Sequence, residues 1–262
     1  MQRNSDQAIL VTGSTSGIGL AIARRMAEAG YPVMLHGLAS ASEGSALVEE
    51  FQERYRVKCG FSSADISSEE GCIQLVADSR EALGHPAVLV NNAGVQFTAP
   101  AHEFPADQWQ RILSINLSSA FFLSRELLPD MRESGWGRII NISSVHGLVA
   151  SENKAAYCAA KHGLIGLTKV LALENADCGV TVNAICPGWV ETPLIQPQIE
   201  RIAQEESVDL DQARTRLIGA KQPLAKPTKP DAIGSLVHFL CGEHAATITG
   251  ASMPVDGGWT AQ

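Results

Sequence analysis

Tyr157 and Lys161 stand four residues apart in the stretch Tyr157-Cys158-Ala159-Ala160-Lys161. On a helix that spacing puts both side chains on one face, one turn from each other. An ammonium so placed favours the phenolate over the phenol. At roughly 5 Å and an effective dielectric near 20 the attraction is about 3 kcal/mol, equivalent to about two pKa units. A phenol that starts near pKa ~10 would then exchange its proton close to neutral pH and serve as an acid-base group. Y-x-x-x-K alone is common on solvated helices, so the chemistry needs partners elsewhere in the chain.

The segment Thr12-Gly13-Ser14-Thr15-Ser16-Gly17-Ile18-Gly19 follows an apolar run and opens a helical pattern. Glycines let a backbone turn sharply and approach a ligand closely. The amino end of the helix then offers free N–H groups and a positive dipole to a pyrophosphate. The spacing is G-x-x-x-G-x-G, and its strand-loop-helix context is the one a dinucleotide site requires.

These residues need a frame to hold them. Strand-like runs at Ala8–Val11, Val33–His36, within 57–64, Val88–Val90, Arg138–Ile142, Thr181–Ile185 and Ser252–Val255 alternate with helical patterns such as Trp109–Met131 and Ala155–Ala176. Apolar strands alternating with helices predict an α/β fold, a parallel sheet of about seven strands covered on both faces. Pro254 puts the last strand at an edge or near its own end. The stretch from Pro187 to Pro223 breaks the rhythm, with prolines at 187, 193, 197 and 223 and two polar amphipathic pieces. It is either a surface excursion or a lid; its place after a strand's carboxyl end favours a lid over 189–222.

The chain of 262 residues carries a net charge of −8 and no long basic run, which argues against nucleic acid or an anionic membrane as partner. Its apolar stretches are strand-sized, too short to span a bilayer. The first residues, Met1 to Asp6, hold no apolar signal core, so a cytoplasmic location is expected. The six cysteines form no C-x-x-C pair and read as reduced buried thiols; no metal site is expected.

T-G-x-x-x-G-I-G, Asn91-Asn92-Ala93-Gly94, Asn116, Ser144, Y-x-x-x-K and Pro187-Gly188 occur in this order, and together they resemble the short-chain dehydrogenase/reductase family over essentially the whole chain. The resemblance implies a single Rossmann-type doubly wound domain over 1–262, hydride transfer to or from a nicotinamide and a homotetramer. It implies Tyr157 as acid-base residue, Lys161 as its pKa modulator and ribose ligand, Ser144 on the substrate oxygen and Asn116 holding a relay water. The cofactor would lie along Gly13, Thr15, Ser16, Gly17, Ile18 and Gly19. Asp65 and Ile66 would flank its adenine, with Asn91, Asn92, Ala93 and Gly94 at its border and Pro187, Gly188, Val190 and Thr192 beyond. Pro86-Ala87, before the fourth strand's apolar run, departs from the family's usual acidic-apolar pair. After the second strand, His36-Gly37-Leu38-Ala39-Ser40 has no Arg or Lys for a 2′-phosphate, and Thr15 and Ser16 are uncharged, which favours NAD. A protonated His36 could still pair with a phosphate.

For the substrate, His146 lies two residues after Ser144, Lys154 three before Tyr157, Gln96 just past Asn91-Asn92-Ala93-Gly94, and Gln198 in the predicted lid. A cation with neutral donors beside the reacting carbon suits a small carboxylate. A closer resemblance, to members of that family acting on small 3-hydroxy acids, rests on Gln96, Ser144 to Ser151, Asn153-Lys154, Ala184 to Val190 and Val255 to Ala261. It implies carboxylate binding by Gln96, His146, Lys154 and Gln198, with Trp189 and Trp259 walling the methyl side. The implied reaction takes (R)-3-hydroxybutyrate and NAD to acetoacetate and NADH. A 3-oxoacyl-thioester reductase and a non-catalytic NAD-binding sensor are the alternatives.

Overall fold

The chain is described here by a computed structural model covering residues 7–192 and 195–261, apart from the side chain of Pro197. The polar start over residues 1–6, and residues 193 and 194 of the predicted lid, lie outside the described residues. In chain order the elements are β1 (Ala8–Val11), α1 (Gly17–Glu28), β2 (Val33–His36), α2 (Ala41–Tyr55), β3 (Cys59–Ser62), α3 (Glu69–Leu83), β4 (Pro86–Asn91), α4 (Ala106–Leu113), α5 (Ser119–Ser134) and β5 (Gly137–Ile142). They continue with α6 (Ala155–Glu174), β6 (Val180–Pro187), α7 (Gln196–Glu206), α8 (Leu210–Gly219), α9 (Pro230–Cys241) and β7 (Ser252–Val255).

The seven strands form one sheet in the order β3-β2-β1-β4-β5-β6-β7, and every pairing is parallel. Successive strand residues face opposite sides of the sheet. Ile9, Val11, Val33 and Leu35 pack with Ile22 and Met26 of α1 and Ile233 and Val237 of α9. Leu10, Met34, Leu89, Ile139 and Val182 pack on the other side with Leu75 of α3 and Leu123 and Leu127 of α5. Each fully buried Leu or Ile contributes roughly 2 kcal/mol of transfer free energy, so two such layers suffice to clamp the sheet. The strand order reverses between β1 and β4, the crevice where open α/β sheets bind ligands. Pro254 lies on β7, an edge strand, where its missing N–H costs no ladder bond.

Two helical expectations need correction. The segment 109–131 is helical throughout, but it carries a wide π turn over Ser114–Ser118 between α4 and α5. The cause is Asn116, whose carboxamide leaves the helix to bond both backbone groups of Val95. The N–H of Val95 donates to Asn116 Oδ1 (2.9 Å), and Asn116 Nδ2 donates to the carbonyl of Val95 (2.9 Å). The helix begun at Ala155 ends at Glu174, followed by a separate 3-10 turn over Ala176–Cys178. The region between β6 and α9 forms the helical pair α7 and α8, which pack through Ile195, Ile199 and Ala213.

Candidate active site

At the carboxyl ends of the strands lies a cavity of about 700 Å³. One wall is the glycine loop after β1. Gly13 and Gly17 have φ of +62° and +55°, conformations that glycine adopts without strain. Gly19 does not line the cavity; a Cβ there would lie 2.2 Å from the carbonyl oxygen of Gly13, so its role is close helix–loop packing. Asn92 braces the loop, donating from Nδ2 to the carbonyls of Thr12 (2.8 Å) and Gly13 (3.1 Å). The first turn of α1 receives no side-chain cap from Ser16, which leaves its N–H groups available to an anion. A positive-φ glycine loop running into an uncapped helix start fits a dinucleotide pyrophosphate.

His36, at the end of β2, joins this loop to the next strand. Gly13 N–H donates to its Nδ1 (3.2 Å) and its Nε2 pairs with the carbonyl of Ala64 (2.9 Å), so Nε2 carries the hydrogen. Burial lowers its pKa, and its own contacts require a neutral ring. The expectation that His36 could meet a phosphate as a cation is therefore corrected: both ring nitrogens are engaged within the chain. Asp65 and Ile66 line the same end of the cavity, with Arg111 of α4, a cation that sequence reading missed because a lone arginine on an amphipathic helix carries no signal. Asn91 does not border the cavity. It points into the sheet, where its Nδ2 donates to Asn141 Oδ1 (2.8 Å).

The opposite wall is built where β5 meets α6. Lys161 Nζ donates to the carbonyl of Ile142 (2.8 Å), and Ser143 Oγ donates to the carbonyl of Lys161 (3.1 Å). Gly147 lets the intervening turn lie flat on α6; a Cβ there would come within 2.7 Å of the carbonyl oxygen of Lys161. Ala156 and Ala160, both buried, bring α6 onto Ile112 of α4 and turn Tyr157 and Lys161 toward the cavity. Lys161 Nζ lies 5.7 Å from the Tyr157 ring centroid.

The spacing is as expected, but the titration is not. Burial lowers Lys161 to about 8. Burial also raises the Tyr157 pKa above the ordinary phenol value, an effect that the Ser144 hydrogen bond only partly offsets. Both shifts have one cause, the loss of water around the pair, which opposes the charged form of each group. Tyr157 is a protonated phenol at neutral pH.

Ser144 ends β5 in extended conformation, and its Oγ accepts from the N–H of His146 (3.1 Å). His146 Nδ1 lies 3.3 Å from Ser144 Oγ and its Nε2 2.9 Å from Ser151 Oγ. The ring also stands edge-on to Tyr157 and to Trp259, with centroids at 5.9 and 5.5 Å. Both of its nitrogens meet serines, and the ring lines the cavity. Ser151 was not foreseen, since a serine five residues beyond a histidine forms no periodic pattern. Gln96, Lys154 and Gln198 line the cavity with Trp189 and Trp259, whose rings are tilted at 35° with centroids 5.8 Å apart. Asp256 anchors Trp259 by accepting from Thr260 N–H (2.8 Å) and Gly258 N–H (3.0 Å). Lys154 follows Asn153, an asparagine at φ +63°, and its Nζ lies 6.0 Å from the Tyr157 ring centroid. Pro187, Gly188, Val190 and Thr192 complete the lining. Asn116 lies behind the wall. Its side chain is tied to Val95, and its Oδ1 and Lys161 Nζ would lie 3.6 and 3.7 Å from a Cβ built on Gly94. Among the described residues no group of His, Cys, Asp or Glu is placed to hold a metal ion.

Burial, then the positive charge of Lys154, holds His146 down to about 4 from an ordinary 6.5. Between those values the unfolded chain binds a proton that the folded ring refuses, so stability falls as the pH drops from 6.5 to 4. The loss assignable to this ring approaches about 3 kcal/mol. Urea unfolding at a series of pH values is expected to give a flatter acid decline for His146→Gln than for wild type; parallel declines would mean that another group carries the effect.

Comparison with known proteins places this geometry in context. The profile described as "short chain dehydrogenase" matches residues 7–203. The D-beta-hydroxybutyrate dehydrogenase of Cupriavidus necator is 47% identical over 253 residues, covering 97% of this chain and 97% of that protein. The enzyme of the same name from Rhizobium meliloti is 45% identical, covering 97% and 98%. Among solved structures, the L-sorbose reductase of Gluconobacter frateurii, complexed with NADPH and L-sorbose, superposes with a TM-score of 0.94 at 27% identity over 100% of both chains. With the seven-stranded parallel sheet and the glycine loop, these matches establish that the chain belongs to the short-chain dehydrogenase family of oxidoreductases.

Proposed function

We propose that the protein is an NAD-dependent dehydrogenase of a small 3-hydroxy acid, interconverting (R)-3-hydroxybutyrate and acetoacetate. The observation that carries this reading is Lys154, a cation set in the cavity wall beside Tyr157 in a chain 47% identical to a D-beta-hydroxybutyrate dehydrogenase. Lys154 would hold the carboxylate by charge, with Gln96, His146 and Gln198 donating hydrogen bonds. The chain's net charge of −8 repels an anion at long range, so this local cation is needed. Trp189 and Trp259 would close over the methyl group, a wall that fits a short acid better than the long acyl chain of a thioester reductase. Residues 189–222 would act as the lid over it.

A nicotinamide, when bound, supplies the hydride acceptor or donor. The loop from Gly13 to Gly19, with Asp65, Ile66, Asn92, Ala93, Gly94, Pro187, Gly188, Val190 and Thr192, would hold it. Lys161 would serve its ribose. Tyr157, protonated at neutral pH, is a ready proton donor to the ketone oxygen, and Ser144 would donate a hydrogen bond to the same oxygen. In the oxidative direction Tyr157 must accept a proton, so that rate should climb with pH. The preserved Ser144, Tyr157 and Lys161 favour an enzyme over a binding-only sensor. NAD is favoured over NADP because His36 is neutral and engaged, and because Arg111 lies within electrostatic reach of the Asp65 carboxylate.

The assay is absorbance of NADH with a panel of hydroxy acids. Tyr157→Phe is expected to lose turnover while still binding NADH, and near-normal activity would reject its role. Lys154→Ala is expected to lose about 10²-fold in kcat/KM for the free acid and little for a neutral ketone; equal losses would reject the carboxylate clamp. kcat/KM with NAD should exceed that with NADP, and the reverse order would overturn the cofactor assignment. A homotetramer is also proposed: Phe121 on α5 and Val170 and Leu173 on α6 expose apolar surface on neighbouring helices. Light scattering giving a monomer would count against it.

A further inference from the structure

We propose that Gln222 is a positioning residue: from outside the cavity its buried carboxamide fixes the spacing of Trp189 and Trp259, and thereby the length of acyl chain that the slot between them admits. The inference rests on the reading that these two rings wall the methyl side of the substrate.

Gln222 closes the segment 189–222. It is wholly buried yet absent from the cavity lining. Its Oε1 accepts from the backbone N–H of Trp189, and its Nε2 donates to the carbonyl of Lys226 (2.9 Å). A backbone N–H only donates and a carbonyl only accepts, so the two partners fix which way the carboxamide faces. The backbone of Gln222 is held as firmly. Its N–H donates to the carbonyl of Ile218 on α8 (2.8 Å), and its carbonyl accepts from the N–H of Ala225 (2.8 Å).

Both tryptophans take their places from this residue. The carbonyl of Trp189 accepts from the N–H of Thr228 (2.8 Å), so with Gln222 on its N–H the backbone of Trp189 is bonded on both sides. Among the described residues Trp189 Nε1 has no hydrogen-bond partner. The indole is therefore placed by its backbone and by packing on Ile195, Ile199 and Ala213. On the other side, the carboxamide lies against the turn that leads to Trp259. A Cβ on Gly257 would come within 2.9 Å of Gln222 Nε2, and one on Gly188 within 2.4 Å of its Oε1. Leu224, two residues on, donates its N–H to the carbonyl of Gly257 (3.1 Å). One side chain thus sits between the two backbones whose rings stand 5.8 Å apart in the cavity. The site needs one acceptor and one donor on a single planar group. Methionine keeps the shape and loses both bonds. An ionised glutamate keeps the acceptor but sets a second oxygen against the Lys226 carbonyl, whereas a protonated one supplies acceptor and donor again.

The test is the 19F spectrum of protein labelled with 5-fluorotryptophan, recorded without substrate, with signals identified by Trp189→Phe and Trp259→Phe. In Gln222→Met the Trp189 and Trp259 signals are expected to shift or broaden, while those of Trp109 and Trp136 stay in place. In the same variant KM for 3-hydroxybutyrate should rise about tenfold, and the kcat/KM preference for 3-hydroxybutyrate over 3-hydroxypentanoate should narrow about fivefold or more. The Kd for NADH should change little. The spectrum of Gln222→Glu should match wild type at about pH 6 and Gln222→Met at about pH 9, because burial raises a carboxyl pKa. This variant carries the test if Gln222→Met does not fold. Unmoved Trp189 and Trp259 signals, equal movement of all four signals in a folded variant, an unchanged chain-length preference, or a Gln222→Glu spectrum indifferent to pH would overturn the proposal. The spectra need no substrate, so a wild type that oxidises no hydroxy acid would reject the substrate reading separately.

Discussion

Lys161 is a cation held out of water by the meeting of β5 and α6, and the shape of the cavity depends on that contact. Its Nζ donates to the carbonyl of Ile142 at 2.8 Å, and the carbonyl of Lys161 receives Ser143 Oγ at 3.1 Å. These two bonds join the last residue of a core strand to the second turn of a core helix, so Ser144 and Tyr157 cannot drift apart. The placement has a cost. Burial brings the lysine down to about 8 from 10.5, so at neutral pH the folded state must protonate a group its surroundings disfavour. The penalty, about 3 kcal/mol, is present below pH 8 and is relieved as the pH rises toward 10.5. The sheet's two apolar layers are large enough to offset it.

The same low-dielectric surroundings act on every titratable group near the reaction centre. They keep Tyr157 protonated, His146 neutral and His36 neutral. Neutral groups orient by hydrogen bonds, and those bonds are short-ranged and directional, which is why glycines at 147 and 94 and alanines at 156 and 160 matter as much as the polar residues. Gly147, Ala156 and Ala160 let a backbone or helix approach within bonding reach, while Gly94 keeps open the space beside Asn116 and Lys161. Against this background Lys154 is the cation set beside Tyr157 to meet an anion arriving at an otherwise acidic molecule.

Much of the frame is legible in the amino-acid sequence. Apolar runs bounded by turn residues mark the strands, and the folded strands differ from those runs by no more than about two residues at either end. Burial on both faces of a parallel sheet leaves such runs unmistakable. The glycine loop is legible because only a positive φ and a close approach require glycine at Gly13, Gly17 and Gly19. Less legible are the side chains that bond to backbone. Asn116 reads as a helical residue, yet its carboxamide pulls on Val95 and opens a π turn. Asn91 and Asn92 are the same residue type, and only strand pleat decides that one enters the sheet while the other braces the loop.

By itself, the sequence determined which residues lie within one helical turn, which runs must be buried, and where glycine has no substitute, because these follow from local geometry and hydrophobicity. Tertiary structure decided the electrostatics. The Tyr157–Lys161 spacing implied a lowered phenol pKa, whereas desolvation in the folded chain raises the phenol and lowers the ammonium. It also decided that His146 lines the cavity in contact with two serines, and that Arg111 joins a site to which no local pattern assigned it. Solvation and hydrogen-bond partners arise from segments far apart in the chain, and local spacing holds no record of them.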